Sequence, residues 1–324
     1  MCTAISFITK DHYFGRNLDL EYHYNEAVTI TPKNYPFHFR RKPTIESHYS
    51  MIGIATVVND YPLYYDATNE HGLSMAGLNF PGNAVYLPEE SGKDNIAPFE
   101  FIPWILAQCK TVDEAKNLLT KVNLININFS NELPLSPLHW IICDKAVSIV
   151  VEPNADGIAV YDNPIGILTN NPPFPFHLQN LQNYMNLTRE EPDNRFSDAI
   201  ELKPYSRGMG AIGLPGDLSS ASRFIRAAFT KLNSVCDTSE SASISQFFHI
   251  LGSVAQQSGC VKVNDGFERT IYTNCCNTDK GIYYYTTYEN SQITAVSIHC
   301  EDLSNTKLTV YPLMMQQQIK KVNY

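Results

Sequence analysis

The chain has 324 residues, of which 44% are hydrophobic and 18% charged, and its formal net charge is -9. This length suits one large globular domain or two ordinary ones, and the acidic balance argues against nucleic acid or an anionic membrane as the main partner. No stretch approaches the roughly 18 unbroken apolar residues of a membrane span. The N-terminus lacks the basic start and apolar core of a signal peptide. We therefore expect a cytoplasmic protein with no membrane partner.

Strand patterns dominate the first third of the chain, where apolar and β-branched runs are separated by Asn, Asp, Gly and Pro. Two helices follow, and Thr111 with Glu114 forms a capping box at the start of the second. The predicted strands are 2–9, 27–30, 51–58, 63–66 and 72–80, and the predicted helices are 97–109 and 111–122.

Strands return in the middle of the chain, and three helices then precede a last block of strands. The third of these helices carries a predicted capping box of Ser243 and Gln246. Blocks of strands alternating with blocks of helices indicate an α+β fold, and no linker divides 1–324, so we expect a single domain. These strands are 138–144, 147–152, 157–161, 165–170, 268–275, 281–287 and 293–299, and the helices are 176–185, 222–233 and 243–256.

Several familiar motifs are absent or out of context. The sequence GMGAIG at 208–213 matches G-x-G-x-x-G, but it has no strand before it, and Pro215 and Gly216 oppose a helix after it, so it is interpreted as a loop. The nine histidines and eight cysteines show no zinc spacing. The scattered cysteines favour reduced thiols in a cytosol. We expect no cofactor and no metal.

The cysteine directly after the initiator methionine permits two interpretations. Cys2 is either a small buried side chain at the start of a strand or, after removal of Met1, an N-terminal nucleophile. In the second case its own α-amine, with a pKa of about 7.7–8.0, lies close enough to take the thiol proton.

The segment FGRNLD at 14–19 bears on this choice. A strand over 2–9 and a return through 13–17 form a hairpin that places Arg16 and Asp19 beside the N-terminus. Such groups would favour a thiolate and orient an amine. An ordinary surface Arg–Asp pair at a strand end is the alternative.

Six segments decide between these interpretations. MCTAISF…KDHYFGRNLDLEY, EHGLSMAGLNFPG, LPLSPLHW, ILTNNPPF, GLPGDLSSASRF and FFHILGSV together resemble the choloylglycine hydrolase family, nearly from end to end. This family contains bile salt hydrolases and penicillin V acylases and belongs to the N-terminal nucleophile hydrolases. The resemblance implies a four-layer αββα sandwich of two antiparallel sheets between helical layers.

The resemblance also implies roles for individual residues. Cys2, exposed by removal of Met1, matches the nucleophile, Arg16 the arginine beside the sulfur, and Asp19 the carboxylate that holds the α-amine. Asn79 matches the backbone N–H donor of the oxyanion hole, and Asn170 the side-chain amide that completes it.

Arg223 matches an arginine that buttresses the site. Without the resemblance, Asn79 and Asn170 would be interpreted as turn residues, and Arg223 as a surface residue at a helix start.

Within the family, hydrolysis of bile acids conjugated to glycine or taurine is the favoured activity, because position 79 is Asn where penicillin V acylases carry Tyr. Apolar and aromatic segments at 20–24, 59–65 and 126–138 are expected to wall a sterol pocket, although Tyr64 and Tyr65 also suit plain core packing. The alternatives are penicillin V or N-acyl homoserine lactone acylase activity, and a non-catalytic ligand-binding protein. By family analogy we expect a homotetramer.

Overall fold

The N-terminal hairpin is the element that brings the predicted site residues together. Its strands are β1 (Cys2–Ile8) and β2 (His12–Leu20), which run antiparallel with Cys2 opposite Leu18 and Ala4 opposite Arg16. The apolar run of β1 and the polar turn after it form this hairpin as the sequence predicts. The structure is a computed structural model that describes residues 1–323.

Fifteen further strands follow, and together with the hairpin they include every predicted strand. Those that the sequence analysis did not predict are short or lie at sheet edges: β7, β8, β13 and β17. In chain order the strands are β3 Ala27–Thr31, β4 Met51–Val58, β5 Tyr61–Asn69, β6 Ser74–Asn79, β7 Asp94–Ile96, β8 Val122–Leu124, β9 Leu138–Cys143, β10 Ser148–Asn154, β11 Gly157–Asp162, β12 Ile167–Leu168, β13 Val261–Val263, β14 Gly266–Asn277, β15 Ile282–Thr287, β16 Thr294–Ser297 and β17 Thr309–Pro312.

The strands form two large antiparallel sheets and one small parallel pair. The first sheet has the order β12-β1-β2-β14-β15-β16, with β13 paired to β14. The second has the order β11-β10-β9-β6-β5-β4-β3-β17, and β7 pairs with β8. The hairpin of β1 and β2 therefore lies in the interior of the first sheet.

Helices cover the outer faces of both sheets. Helix α1 packs on β5 and β6 of the second sheet, whereas α4 and α5 pack on β1, β2 and β14 of the first. The two sheets face each other between these layers, which confirms the predicted αββα sandwich. The helices are α1 Phe101–Leu106, α2 Val112–Leu119, α3 Phe174–Asn180, α4 Ser220–Asn233 and α5 Glu240–Gly252.

Two apolar clusters hold these layers together. One includes Ile5, Ile141 and Phe247 and fills the space between the sheets and below α4 and α5. The other includes Phe101 and Trp140 and lies between the second sheet and α1 with α2. Burial of each such side chain stabilises the fold by about 1.5–3 kcal/mol.

Both predicted capping boxes differ from the structure. The capping box of Ser243 and Gln246 is wrong, because α5 begins earlier, at Glu240, and the Ser243 hydroxyl bonds the hydroxyl of Thr9 at 2.7 Å. The acidic and small residues before Ser243 continue the helix toward the N-terminus.

The capping box of Thr111 and Glu114 is half formed. The Thr111 hydroxyl accepts the Glu114 N–H at 3.2 Å as predicted, but the Glu114 carboxylate accepts the N–H of Lys110 at 2.7 Å.

The segment GMGAIG lies in a loop, as predicted, with a 3-10 turn over Met209–Ala211. All eight cysteines are free thiols. Among residues 1–323, no helix combines the length and the apolar character needed to cross a bilayer.

Candidate active site

Cys2 lies at the first position of β1 and is 3% exposed. Its backbone N–H donates to Asn170 Oδ1 at 2.8 Å, and its carbonyl accepts from Arg223 Nη1 at 2.5 Å. Met1 precedes it in this structure, and the Met1 ammonium donates to the Asp19 carbonyl at 2.8 Å and pairs with the carboxylate of Glu268. The peptide bond between Met1 and Cys2 is thus held on both sides while Met1 is present.

Arg16 occupies the face of β2 that Cys2 shares, because residues two apart in a strand lie on one side. Its guanidinium is fully buried and donates from Nη1 to the carbonyls of Gly77 at 2.5 Å and Tyr65 at 3.1 Å. Nη2 has no partner among the described residues. Burial opposes the charged form, but the attraction of Cys2 and nearby acidic groups outweighs it and raises the pKa of Arg16.

Asp19 lies on the opposite face of β2, three residues further along. It is fully buried, and its Oδ1 accepts from the Thr270 hydroxyl at 2.7 Å, whereas Oδ2 has no partner among the described residues. Burial raises the pKa of this carboxyl, and Arg223 is the strongest charge acting against that rise. The interpretation of Arg16 and Asp19 as a surface ion pair is therefore wrong.

Asn170 follows β12 and connects three parts of the site. Its Oδ1 accepts from Cys2 N–H and from Arg223 Nη2, the latter at 2.7 Å. Its Nδ2 donates to the carbonyl of Asn79, at the end of β6, at 2.7 Å. Because an amide nitrogen carries two protons, this bond leaves one for another acceptor.

Arg223 is the side chain that joins α4 to the start of β1. It is fully buried and donates from Nη1 to the Cys2 carbonyl and to Thr3 Oγ1 at 2.6 Å, and from Nε to the Leu218 carbonyl at 3.1 Å. Burial lowers the pKa of this guanidinium, which remains charged at neutral pH because arginine starts far above it. It is not a surface residue. All six predicted site residues therefore meet at one end of β1 and β2.

Sequence reasoning missed the polar cluster beneath Arg16. The Asp66 carboxylate is buried within β5 and accepts from the hydroxyls of Tyr272 at 2.7 Å and Tyr283 at 2.5 Å and from Asn274 Nδ2 at 3.2 Å. Asn274 Oδ1 in turn accepts the Arg16 N–H at 3.0 Å. The position of Asp66 within an apolar strand pattern was the signal that could have revealed this cluster, because a buried carboxylate requires hydrogen-bond partners.

The predicted pocket walls divide between the two faces of the second sheet. Tyr24 and Tyr65 both bond the Thr56 hydroxyl, Tyr24 through its carbonyl at 3.0 Å and Tyr65 through its phenol at 2.9 Å. Tyr65 lies at the site, because its own carbonyl accepts from Arg16 Nη1 at 3.1 Å. Tyr61 and Phe129 instead line a separate cavity of about 910 Å³ that includes none of the predicted site residues.

Tyr64 belongs to the core, which confirms the alternative interpretation of plain core packing for this residue. It packs in the cluster below α1, and its hydroxyl bonds the hydroxyl of Thr31 at 2.7 Å.

The other buried cysteines differ from Cys2 in their surroundings. Burial raises the pKa of Cys109 and of Cys276 to about 12 in each case, so both remain thiols at neutral pH. Within residues 1–323, no group of His, Cys, Asp and Glu side chains is arranged to hold a metal ion.

We expect Arg223→Ala to destabilise the protein by about 3–5 kcal/mol, because it leaves the Cys2 carbonyl, Asn170 Oδ1 and the Asp19 charge buried without this partner. Arg226→Ala is the matched control. Arg226, which also lies on α4, donates to three backbone carbonyls but is only partly buried. Its replacement should therefore destabilise the protein less. Urea unfolding measures both, and equal costs would contradict this account.

The comparisons with known proteins agree with this geometry. The family model described as linear amide C–N hydrolases, choloylglycine hydrolase family, matches residues 2–311. A protein of Lactiplantibacillus plantarum named bile salt hydrolase/transferase is 56% identical over 324 residues, which cover all of both chains.

Two solved structures resemble this one. The C2A mutant of the conjugated bile acid hydrolase from Clostridium perfringens is 37% identical with a TM-score of 0.92, over 100% of both chains. A penicillin V acylase from Agrobacterium tumefaciens has a TM-score of 0.73 at 19% identity, over 95% of this chain and 90% of that one. The second likeness shows the fold alone.

Proposed function

Because the chain belongs to the choloylglycine hydrolase family of linear amide C–N hydrolases, we propose that it hydrolyses the amide bond joining a bile acid to glycine or taurine. The observation that carries this proposal is the full-length relative at 56% identity, which is named a bile salt hydrolase. The site geometry supports the reaction class independently, since it buries Cys2, the residue after Met1, among charged and amide groups.

The proposed reaction begins with removal of Met1. The Cys2 amine then takes the thiol proton, the thiolate attacks the substrate carbonyl, and the proton passes to the leaving nitrogen of glycine or taurine. Water hydrolyses the resulting thioester and releases the bile acid. Burial lowers the pKa of the Met1 ammonium. Cys2 is 3% exposed, so we expect burial to favour the basic form of its amine after removal of Met1.

The remaining groups receive roles by their positions. Asp19 Oδ2, which lacks a partner among the described residues, is available to orient the new amine. The Arg16 charge favours the thiolate. The free proton on Asn170 Nδ2 and the Asn79 N–H are proposed as the donors that stabilise the oxyanion.

We further propose that selectivity follows the acyl side of the substrate. Full burial of one medium apolar side chain is worth about 1.5–3 kcal/mol, and a sterol offers several times that area. An ion pair at a partly solvated mouth is worth about 1 kcal/mol or less. Tyr22 and Tyr24, whose rings lie 5.0 Å apart and are partly exposed, together with Tyr65 offer an aromatic edge with polar tips for such a body.

The decisive assay compares glycocholate, taurocholate, a short N-acyl glycine and penicillin V by release of free amine. We expect the two bile salts to differ modestly in kcat/KM and the short substrate to be far poorer. Comparable rates for the short substrate would replace this proposal with a general acylase. Preference for penicillin V would favour the alternative activity within the family.

The same assay tests the nucleophile. Cys2→Ala should fold normally and lose activity, and Cys2→Ser should be very poor, because an amine of this pKa does not appreciably ionise a hydroxyl. Full activity of Cys2→Ala would refute the role of Cys2.

We propose a homotetramer as the assembly. In support, the segment 185–212 has little regular structure and exposes large apolar side chains, with Phe196 81% and Tyr205 84% exposed. Grouped exposed apolar residues mark association surfaces in soluble proteins. We also propose a cytoplasmic location, which the eight free thiols support.

Sedimentation tests the assembly. The double variant Phe196→Ser/Tyr205→Ser should lower the mass of the particle, whereas Val235→Ser, which is 79% exposed elsewhere, should not. A wild-type monomer would contradict the proposal.

A further inference from the structure

His139, on β9, is a fully buried histidine with an oxygen within hydrogen-bond distance of each ring nitrogen. Nε2 lies 3.0 Å from the carbonyl oxygen of Thr169, and Nδ1 lies 3.1 Å from Glu152 Oε1. A carbonyl oxygen only accepts, so Nε2 carries a proton. The same Glu152 oxygen accepts the Phe174 N–H at 2.9 Å. His139 and Glu152 therefore form a buried hydrogen-bonded pair that is tied to both the Thr169 carbonyl and the Phe174 N–H.

The His139 ring contacts the chain beside both proposed oxyanion donors. Thr169, whose carbonyl it binds, directly precedes Asn170. Phe80, which directly follows Asn79, stacks on the imidazole with ring centroids 4.2 Å apart and planes 7° from parallel. One side chain thus spans the two strand ends, β6 and β12, that carry the donors.

Glu152 extends this support through α3. The Phe174 N–H that it accepts belongs to the first residue of that helix. One turn further on, His177 donates from Nε2 to the carbonyl of Asn170 at 2.9 Å. The carboxylate therefore fixes the helix start that fixes the Asn170 backbone, while His139 fixes the residue before it.

We propose that His139 and Glu152 are positioning residues for the oxyanion hole. This inference rests on the proposed function, in which Asn79 and Asn170 supply the oxyanion donors. Donors of this kind act only when held close to the site where charge develops, and a buried hydrogen-bonded pair in contact with both segments fixes their spacing. Neither member of the pair needs to contact substrate.

The test uses Glu152→Gln and His139→Gln. Glu152→Gln keeps an oxygen for Phe174 N–H, and His139→Gln keeps a donor for the Thr169 carbonyl. A small displacement of donors costs up to about a hundredfold in rate. We expect kcat for glycocholate to fall about tenfold to a hundredfold, with KM nearly unchanged, because donors to the oxyanion act in the transition state.

Alkylation of Cys2 by iodoacetamide separates positioning from general damage. This displacement at a methylene carbon forms no oxyanion, so its rate should be unchanged in both variants while kcat falls. Combination with Asn170→Ala gives a second readout. If the pair acts through Asn170, the double variant Glu152→Gln/Asn170→Ala should lose little more turnover than Asn170→Ala alone.

His12→Gln is the matched control. His12 is equally buried, and its ring nitrogens bond the hydroxyls of Ser6 at 2.9 Å and Thr278 at 2.8 Å, at the far end of the hairpin from Cys2. Its replacement should lower thermal stability and leave kcat and alkylation unchanged.

Three results would contradict a positioning role for His139 and Glu152. Wild-type kcat in Glu152→Gln and His139→Gln, a parallel fall of kcat and alkylation rate, or fully additive losses with Asn170→Ala would overturn it. If His139→Gln does not fold, Glu152→Gln decides alone, because it keeps every heavy-atom position. Failure of the proposed function would look different, since wild type would not release amine or Asn170→Ala would be fully active.

Discussion

The structure depends above all on the buried guanidinium of Arg223. It joins α4 to β1 through the Cys2 carbonyl and Thr3, and to the end of β12 through Asn170. A charge buried this deeply is costly unless every donor is used and an opposite charge is near. Asp19 is that charge. The need to satisfy one arginine therefore fixes the position of the chain's N-terminus relative to the proposed oxyanion donors.

Strand geometry places the charges of Arg16 and Asp19 on opposite faces of β2. Arg16 and Asp19 are an odd number of residues apart in β2, so one faces the space between the sheets and the other faces α4 and α5. Cys2 shares the Arg16 face, because it lies opposite Leu18, while its backbone nitrogen donates to Asn170. In the proposed mechanism, a cation on one face of β2 and a carboxylate on the other suit transfer of a proton from sulfur to nitrogen.

Strand patterns in the sequence predicted the hairpin, and the resemblance of local motifs to the family implied the layer order and six residues that the structure brings together. The sequence did not predict Asp66 or the pair of His139 and Glu152. Their partners, such as Tyr283 and Thr169, are distant in sequence, and only the sheet register brings them together. The capping box of Ser243 failed for a related reason, since a Ser followed by Gln also occurs inside a helix whose start lies elsewhere.

The proposed mechanism requires that the amine of Cys2 is the base that activates its own sulfur. The most direct measurement prepares the chain with Met1 retained, by inhibiting methionine aminopeptidase in the producing cells, and with Met1 removed. Intact mass identifies each form, and glycocholate turnover is then compared. We expect turnover only in the form that has lost Met1. Equal turnover by the form that keeps Met1 would contradict this mechanism, because its Cys2 nitrogen is a peptide N–H that donates to Asn170.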